Sequence, residues 1–178
     1  EWRIDGRILA IDPFFTRPPF RRMWLGRVQP DDHLSSVLMP RCDVILVTHS
    51  HWDHLMDVPE IARRTGAQVL GSPNTCALLA ACGVPERQMR CVGVGDAWTV
   101  QGFEVIVLPA AHPRTPIDHL VNGPLPPELK PPLRLIDYRM DVCFSFLVRA
   151  DGRAILSGDQ PVSADVWLVS PFSIRADD

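Results

Sequence analysis

Residues 43–54 constrain this chain more than any other stretch. Asp43-Val44-Ile45-Leu46-Val47-Thr48 is a continuous, β-branched apolar run of strand length, the pattern of a strand covered on both faces. His49-Ser50-His51-Trp52-Asp53-His54 follows without a spacer, so three histidines and an aspartate stand at the strand's C-terminal end. That end is where α/β folds collect ligand sites. A strand buried on both faces needs a layer on each side, so the chain reads as an α/β protein with layers around a mixed sheet.

The flanking segments agree. Asp57-Val58-Pro59-Glu60 reads as an N-cap aspartate, an early proline and a capping-box glutamate, predicting a helix to about Thr65 with Gly66 as its stop. Ser72-Pro73 opens a second helix, expected to bury Cys76, Leu79 and Ala80 and to end at Gly83. Asp5-Gly6 joins two short apolar runs, 2–4 and 7–11, as a hairpin, and Asp151-Gly152 joins 143–148 to 154–156. Further strands are expected at 68–70, 90–94, 98–101, 103–108 and 166–169, and a loop with one short helical turn over 14–40.

With 178 residues, the chain has the length of a single domain and enough surface to bury a core without disulfide staples. It carries 18 basic and 21 acidic residues, a balance that argues against a dedicated nucleic-acid partner. No apolar run reaches the length of a transmembrane helix. The five cysteines, Cys42, Cys76, Cys82, Cys91 and Cys143, form no C-x-x-C pair and read as small buried thiols in a reducing compartment, hence a cytoplasmic protein. Eighteen prolines is about twice the average share, and they cluster over 109–132. An excursion over 113–140, starting directly after His112, is therefore expected to be an ordered loop. Its position makes it one wall of a substrate pocket, with Arg114, His119, Arg134 and Arg139 available for contacts; the competing reading is a surface flap or a contact between copies in a homo-oligomer.

In an extended segment positions i and i+2 point the same way, so His49 and His51 approach one metal ion from one side. Asp53 and His54, where the chain turns into the helix, face a second. Imidazole and carboxylate donors suit zinc, manganese or iron. The competing reading of 49–54 is a run of surface histidines with no ligand role. Trp52 lines the pocket mouth or packs on the following helix.

Residues 49–54 match at every position the H-x-H-x-D-H signature of the metallo-β-lactamase superfamily, which the chain resembles over nearly its whole length. His112 in Leu108-Pro109-Ala110-Ala111-His112 matches that family's third histidine, and Asp159 after Gly158 its bridging aspartate. Asp12 resembles the early strand aspartate that supports the ligands. The resemblance implies an αββα sandwich over 1–178, a single domain expected to be truncated at its C-terminus and, since the chain opens Glu1-Trp2-Arg3 without a methionine, at its N-terminus as well; the subgroup it most resembles is the ascorbate-6-phosphate lactonase-like metal-dependent hydrolases. It further implies two Zn²⁺ ions, with Mn²⁺ or Fe²⁺ as substitutes. His49, His51 and His112 would hold the first, Asp53 and His54 the second, and Asp159 would bridge them. No histidine follows His119, so the last ligand of the second metal is expected beyond Asp178. The expected activity is attack of a metal-bound hydroxide on a small ester, lactone or phosphoester, with Asp53 relaying a proton. The alternatives are a phosphodiesterase acting on lipid or nucleic acid, and a non-catalytic metal-binding module.

Overall fold

A computed structural model describes residues 1–19 and 26–157, together with the backbone of 166–169. Among the described residues, ten strands form two five-stranded sheets. The first runs in the order β1 (Trp2–Ile4), β2 (Arg7–Ile11), β3 (Val44–Leu46), β4 (Gln68–Gly71), β5 (Met89–Cys91). Its β1–β2 pair is an antiparallel hairpin, and β2 to β5 are parallel. The second has the order β10 (Val166–Val169), β9 (Arg153–Ser157), β8 (Phe144–Ala150), β7 (Phe103–Pro109), β6 (Ala97–Val100). It is antiparallel except that β10 pairs parallel to β9.

The crossovers of the first sheet carry helices α1 (Asp32–Leu38), α2 (Trp52–Leu55), α3 (Val58–Thr65) and α4 (Pro73–Ala81). Side-chain alternation along the strands divides the core in two. Ala10, Ile45, Val47 and Val69 face the helices and pack with Leu55, Met56, Val58, Ile61, Leu78 and Leu79. Leu9, Val44, Leu46 and Leu70 point the other way, onto Phe103, Val105, Val107, Phe144, Phe146 and Val148 of the second sheet. Hence residues 44–47 are wholly buried, as the continuous apolar run requires. Helices on a sheet packed on a second sheet make three layers of the αββα sandwich that the resemblance implies; the fourth lies outside the described residues.

The turns follow local chemistry. Asp5 and Gly6, with φ of 49° and 75°, and Asp151 and Gly152, with φ of 49° and 68°, occupy the left-handed region that these hairpins demand. Gly66 closes α3 at φ 79°, its N–H donating to the Ala62 carbonyl. Ser72 caps α4, accepting from the Thr75 N–H at 3.2 Å.

Four expectations are corrected. The segment over 14–40 contains a seven-residue helix, α1, capped by Asp31, which accepts from the Leu34 N–H at 2.9 Å. Helix α4 buries Leu78 and leaves Ala80 exposed. Asp57 does not cap α3; its carboxylate turns away from the helix. Cys76 and Cys91 are not free thiols: α4 stands over the end of β5, which brings their Cα atoms to 6.0 Å, and the two are disulfide-bonded. Cys42, Cys82 and Cys143 are free, and burial pushes the Cys42 thiol up to about 12. No helix among the described residues is long and apolar enough to cross a membrane.

Candidate metal centre

The two sheets meet where β3 ends. The Phe144 N–H at the start of β8 donates to the Thr48 carbonyl at 2.8 Å, so the histidine segment emerges at the seam of the sandwich. From the second sheet β7 ends at Pro109 and delivers His112 to the same place. One ligand atom each from His49, His51 and His112 lie within 4.8 Å of one another. Their ring centroids are 4.7 Å apart for His49 and His51, and 4.8 Å for each of these with His112. His49 and His51 are buried and His112 is half-buried.

Each buried ring is oriented by a hydrogen bond to one nitrogen, and the network dictates which nitrogen is free. Asp12, buried at the end of β2 with a left-handed φ of 46°, is the hub. Its Oδ1 accepts from the Thr48 N–H at 2.8 Å and its Oδ2 from the Thr48 hydroxyl at 2.5 Å. The Thr48 hydroxyl, having donated to Asp12, accepts from His49 Nδ1 at 3.0 Å. His49 Nε2 is then left bare: it is buried and has no hydrogen-bond partner. A buried imidazole nitrogen without a partner is costly in a folded protein, and a cation is the partner that such a lone pair fits. Asp12 Oδ2 also accepts from His54 Nδ1 at 2.8 Å, leaving His54 Nε2 free. His51 donates its Nε2 proton to the Val121 carbonyl at 3.2 Å and to Asn122 Oδ1 at 3.0 Å, leaving Nδ1 free. Imidazole rings whose outer nitrogen is hydrogen-bonded are the arrangement of metal-binding histidines.

Electrostatics point the same way. Burial, followed by the neighbouring His54, His51 and His112, pushes His49 down to about 2. Burial also lowers His51, against the opposing pull of Asn122. Both rings are therefore neutral at pH 7 and offer a lone pair with no proton to displace. Burial pushes His54 down as well, but the hydrogen bond and charge of Asp12, then the charge of Asp53, outweigh it and raise the net value. Cys143 Sγ approaches His49 Nδ1 to 3.9 Å; burial and then Asp12 push its thiol up to about 11, so it remains protonated at neutral pH.

Asp53 and His54 lie on α2, which His51 precedes directly, and Asp53 Oδ2 stands 3.9 Å from His54 Nε2. They adjoin the triad, the His49 and His54 ring centroids being 3.9 Å apart, but are not within the tight three-histidine group. Asp159 lies outside the described residues. Trp52 is half-buried and packs edge-on against Phe14 at 5.3 Å, beside the core on the helix side of the first sheet. His119 is exposed.

The excursion lies against the centre. It forms a short helix, α5 (Asp118–Val121), and is closed on itself where the Gly123 N–H donates to Met140 and the Met140 N–H to Val121, each at 2.8 Å. Ser50, between the two ligand histidines, donates its hydroxyl to the Arg139 carbonyl at 2.6 Å. Asn74 on α4 donates to the Gly123 and Arg139 carbonyls at 3.0 and 2.8 Å. The Arg139 guanidinium is occupied within the excursion, donating to Pro124 at 3.2 Å and Ile136 at 3.4 Å. Arg114, two positions past His112, is exposed, and its guanidinium has no hydrogen-bond partner among the described residues. Sequence reasoning missed Thr48, Asn122 and Asn74: each is a single polar residue whose partner is distant in sequence or lies in an unpatterned loop.

Two packed sheets with a histidine cluster at their seam fit the resemblance carried by residues 49–54. Residues 7–160 match the beta-lactamase superfamily domain, and the chain belongs to that superfamily. The UPF0173 metal-dependent hydrolase of Methanopyrus kandleri is 30% identical over 135 residues, covering 69% of this chain and 53% of that protein. A UPF0173 metal-dependent hydrolase of Pyrobaculum arsenaticum is 34% identical over 108 residues, 60% of this chain and 44% of its own length. The chain thus spans about half the length of the curated relatives it matches. Among solved structures, a metallo hydrolase of the archaeon Ignicoccus hospitalis shares the fold with a TM-score of 0.54 at 23% identity, over 86% of this chain and 53% of that one. The diiron β-hydroxylase of Streptomyces venezuelae shares it at 0.51 and 20% identity, over 86% of this chain and 26% of that one.

Proposed function

We propose that this chain carries the metal centre of a metal-dependent hydrolase acting on a small ester, lactone or phosphoester, and that the whole chain belongs to one such domain. The observation that carries this reading is the convergence of His49, His51 and His112, with the buried His49 Nε2 lacking any partner. The curated relatives bear the name metal-dependent hydrolase, which supports the same class.

In this reading His49 Nε2, His51 Nδ1 and a ring nitrogen of His112 would hold a first ion, Zn²⁺ by preference. Asp53 and His54 would contribute to a second, with Asp159 as a ligand to both. A bound divalent ion supplies Lewis acidity and lowers the pKa of a coordinated water towards about 7. The chain's own groups do the rest. Asp12 and Thr48 hold the ligand rings in one tautomer and orientation. Asp53, with its side chain 40% exposed beside His54, is the carboxylate placed to take up and return a proton as the leaving group departs. The excursion, locked against His51 and Ser50, forms the pocket wall and restricts water. Arg114 is available to an anionic group on the substrate.

The test is turnover of chromogenic esters, lactones and phosphodiesters by the metal-free chain before and after addition of Zn²⁺ or Mn²⁺. Turnover of one of these small substrates that needs the metal and is abolished by a chelator is expected. Activity confined to lipid or nucleic-acid phosphodiesters would replace this substrate class, and stoichiometric metal binding without turnover on any substrate would reduce the chain to a metal-binding module.

A further inference from the structure

We propose that Asn122 is a positioning residue of the metal centre: its side-chain oxygen, at the end of α5, holds His51 in the Nε2–H form and so presents Nδ1 to the ion. The inference rests on the reading of His51 as a ligand and assigns a role to a residue outside the histidine segment.

His51 Nε2 faces two groups, the Val121 carbonyl at 3.2 Å and the Asn122 side chain at 3.0 Å. A carbonyl only accepts, so Nε2 must carry the proton. That choice also settles which end of the Asn122 amide faces the ring: an NH₂ group there would oppose one donor with another, so the oxygen points at His51. A neutral imidazole has one N–H, and committing it to Nε2 leaves the lone pair on Nδ1.

Asn122 is well placed to impose this. Its own N–H is bonded to the Asp118 carbonyl at 2.9 Å. The next residue, Gly123, is pinned by Met140 and by Asn74, and Val121 accepts from Met140. The acceptor pair is therefore presented by backbone clamped on three sides, the kind of support that keeps a ligand ring within its productive geometry. The other two rings with a hydrogen-bonded nitrogen, His49 and His54, are oriented by Thr48 and Asp12, just past the ends of β3 and β2. His51 alone is oriented by the proline-rich excursion. The excursion is thus part of the metal centre as well as its rim, and changes within it reach the ion through Asn122.

The test uses Asn122→Leu and Asn122→Asp in the full chain, with two readouts. The first is the dissociation constant for Zn²⁺ by chelator competition. Asn122→Leu is expected to weaken it about 10–100-fold, the usual effect of removing a partner of a ligand histidine. Asn122→Asp keeps the acceptor and is expected to hold the wild-type affinity or tighten it. The second is the tautomer of His51 in the metal-free protein, read from long-range ¹H–¹⁵N NMR correlations, expected to be Nε2–H in the wild type. An Nδ1–H ring in the wild type, an Asn122→Leu affinity within about twofold of wild type, or equal losses in both variants would overturn the proposal. If the wild type bound no metal, the ligand reading itself would fail, and the tautomer would still decide the role of Asn122.

Discussion

His51→Ala is expected to strip the first metal site and abolish hydrolysis while leaving the fold standing. Removing the outer hydrogen-bond partner of a ligand costs about 10–100-fold in metal affinity, and removing one of three imidazoles costs more, on the order of 100-fold or beyond. The fold does not depend on this ring. Strand β3 and helix α3 are held by Val44, Ile45, Leu46, Val58 and Ile61, all wholly buried among apolar neighbours. Elemental analysis of wild type and variant, with circular dichroism on both, reads the result. Equal metal content in the two proteins would contradict it.

Asp57→Ala is expected to produce the opposite pattern, a large loss of stability. Asp57 is fully buried, and its carboxylate accepts from the Phe15 N–H at 2.6 Å, the Thr16 N–H at 2.8 Å and the Thr16 hydroxyl at 2.6 Å. The Thr16 oxygen in turn accepts from the Asp31 N–H at 2.7 Å, so one carboxylate ties the segment after Asp12 to the helix after the histidines and to the cap of α1. Truncation leaves three donors without an acceptor and should cost about 3–5 kcal/mol. At a urea dependence of about 2 kcal/mol/M this moves the midpoint down by roughly 2 M. Asp57→Asn keeps one acceptor oxygen and should fall between the two. A midpoint within about 0.5 M of wild type for Asp57→Ala would show that these bonds carry little.

Asp57 also shows where sequence legibility stops. Its context reads as a helix cap, and α3 does begin at the next residue, but the side chain is claimed by Phe15 and Thr16, 42 and 41 positions earlier, which no local pattern connects to it. What is local was legible. The Asp-Gly hairpins follow from the left-handed backbone those turns need, the Gly66 stop from the same physics, and β3 from burial on both faces. The histidine cluster was legible as a candidate site because four potential ligands in six positions stand out in a chain with six histidines. What depends on long-range pairing was not. The split into two sheets rests on β5 and β6 parting company across 92–96, and nothing in that turn announces it. Cys76 and Cys91 meet because α4 crosses over β5, a packing fact that cysteine spacing does not encode. Thr48 and Asn122 are ordinary polar residues until the fold sets them beside His49 and His51.

The central claim is that His49, His51 and His112 share one metal ion. A crystal structure of the chain grown with Zn²⁺, with anomalous data collected at the zinc edge, tests it most directly. The account predicts a peak about 2.0–2.1 Å from His49 Nε2, His51 Nδ1 and a ring nitrogen of His112. Stoichiometric zinc bound elsewhere, with no peak within about 3 Å of these three rings, would contradict it.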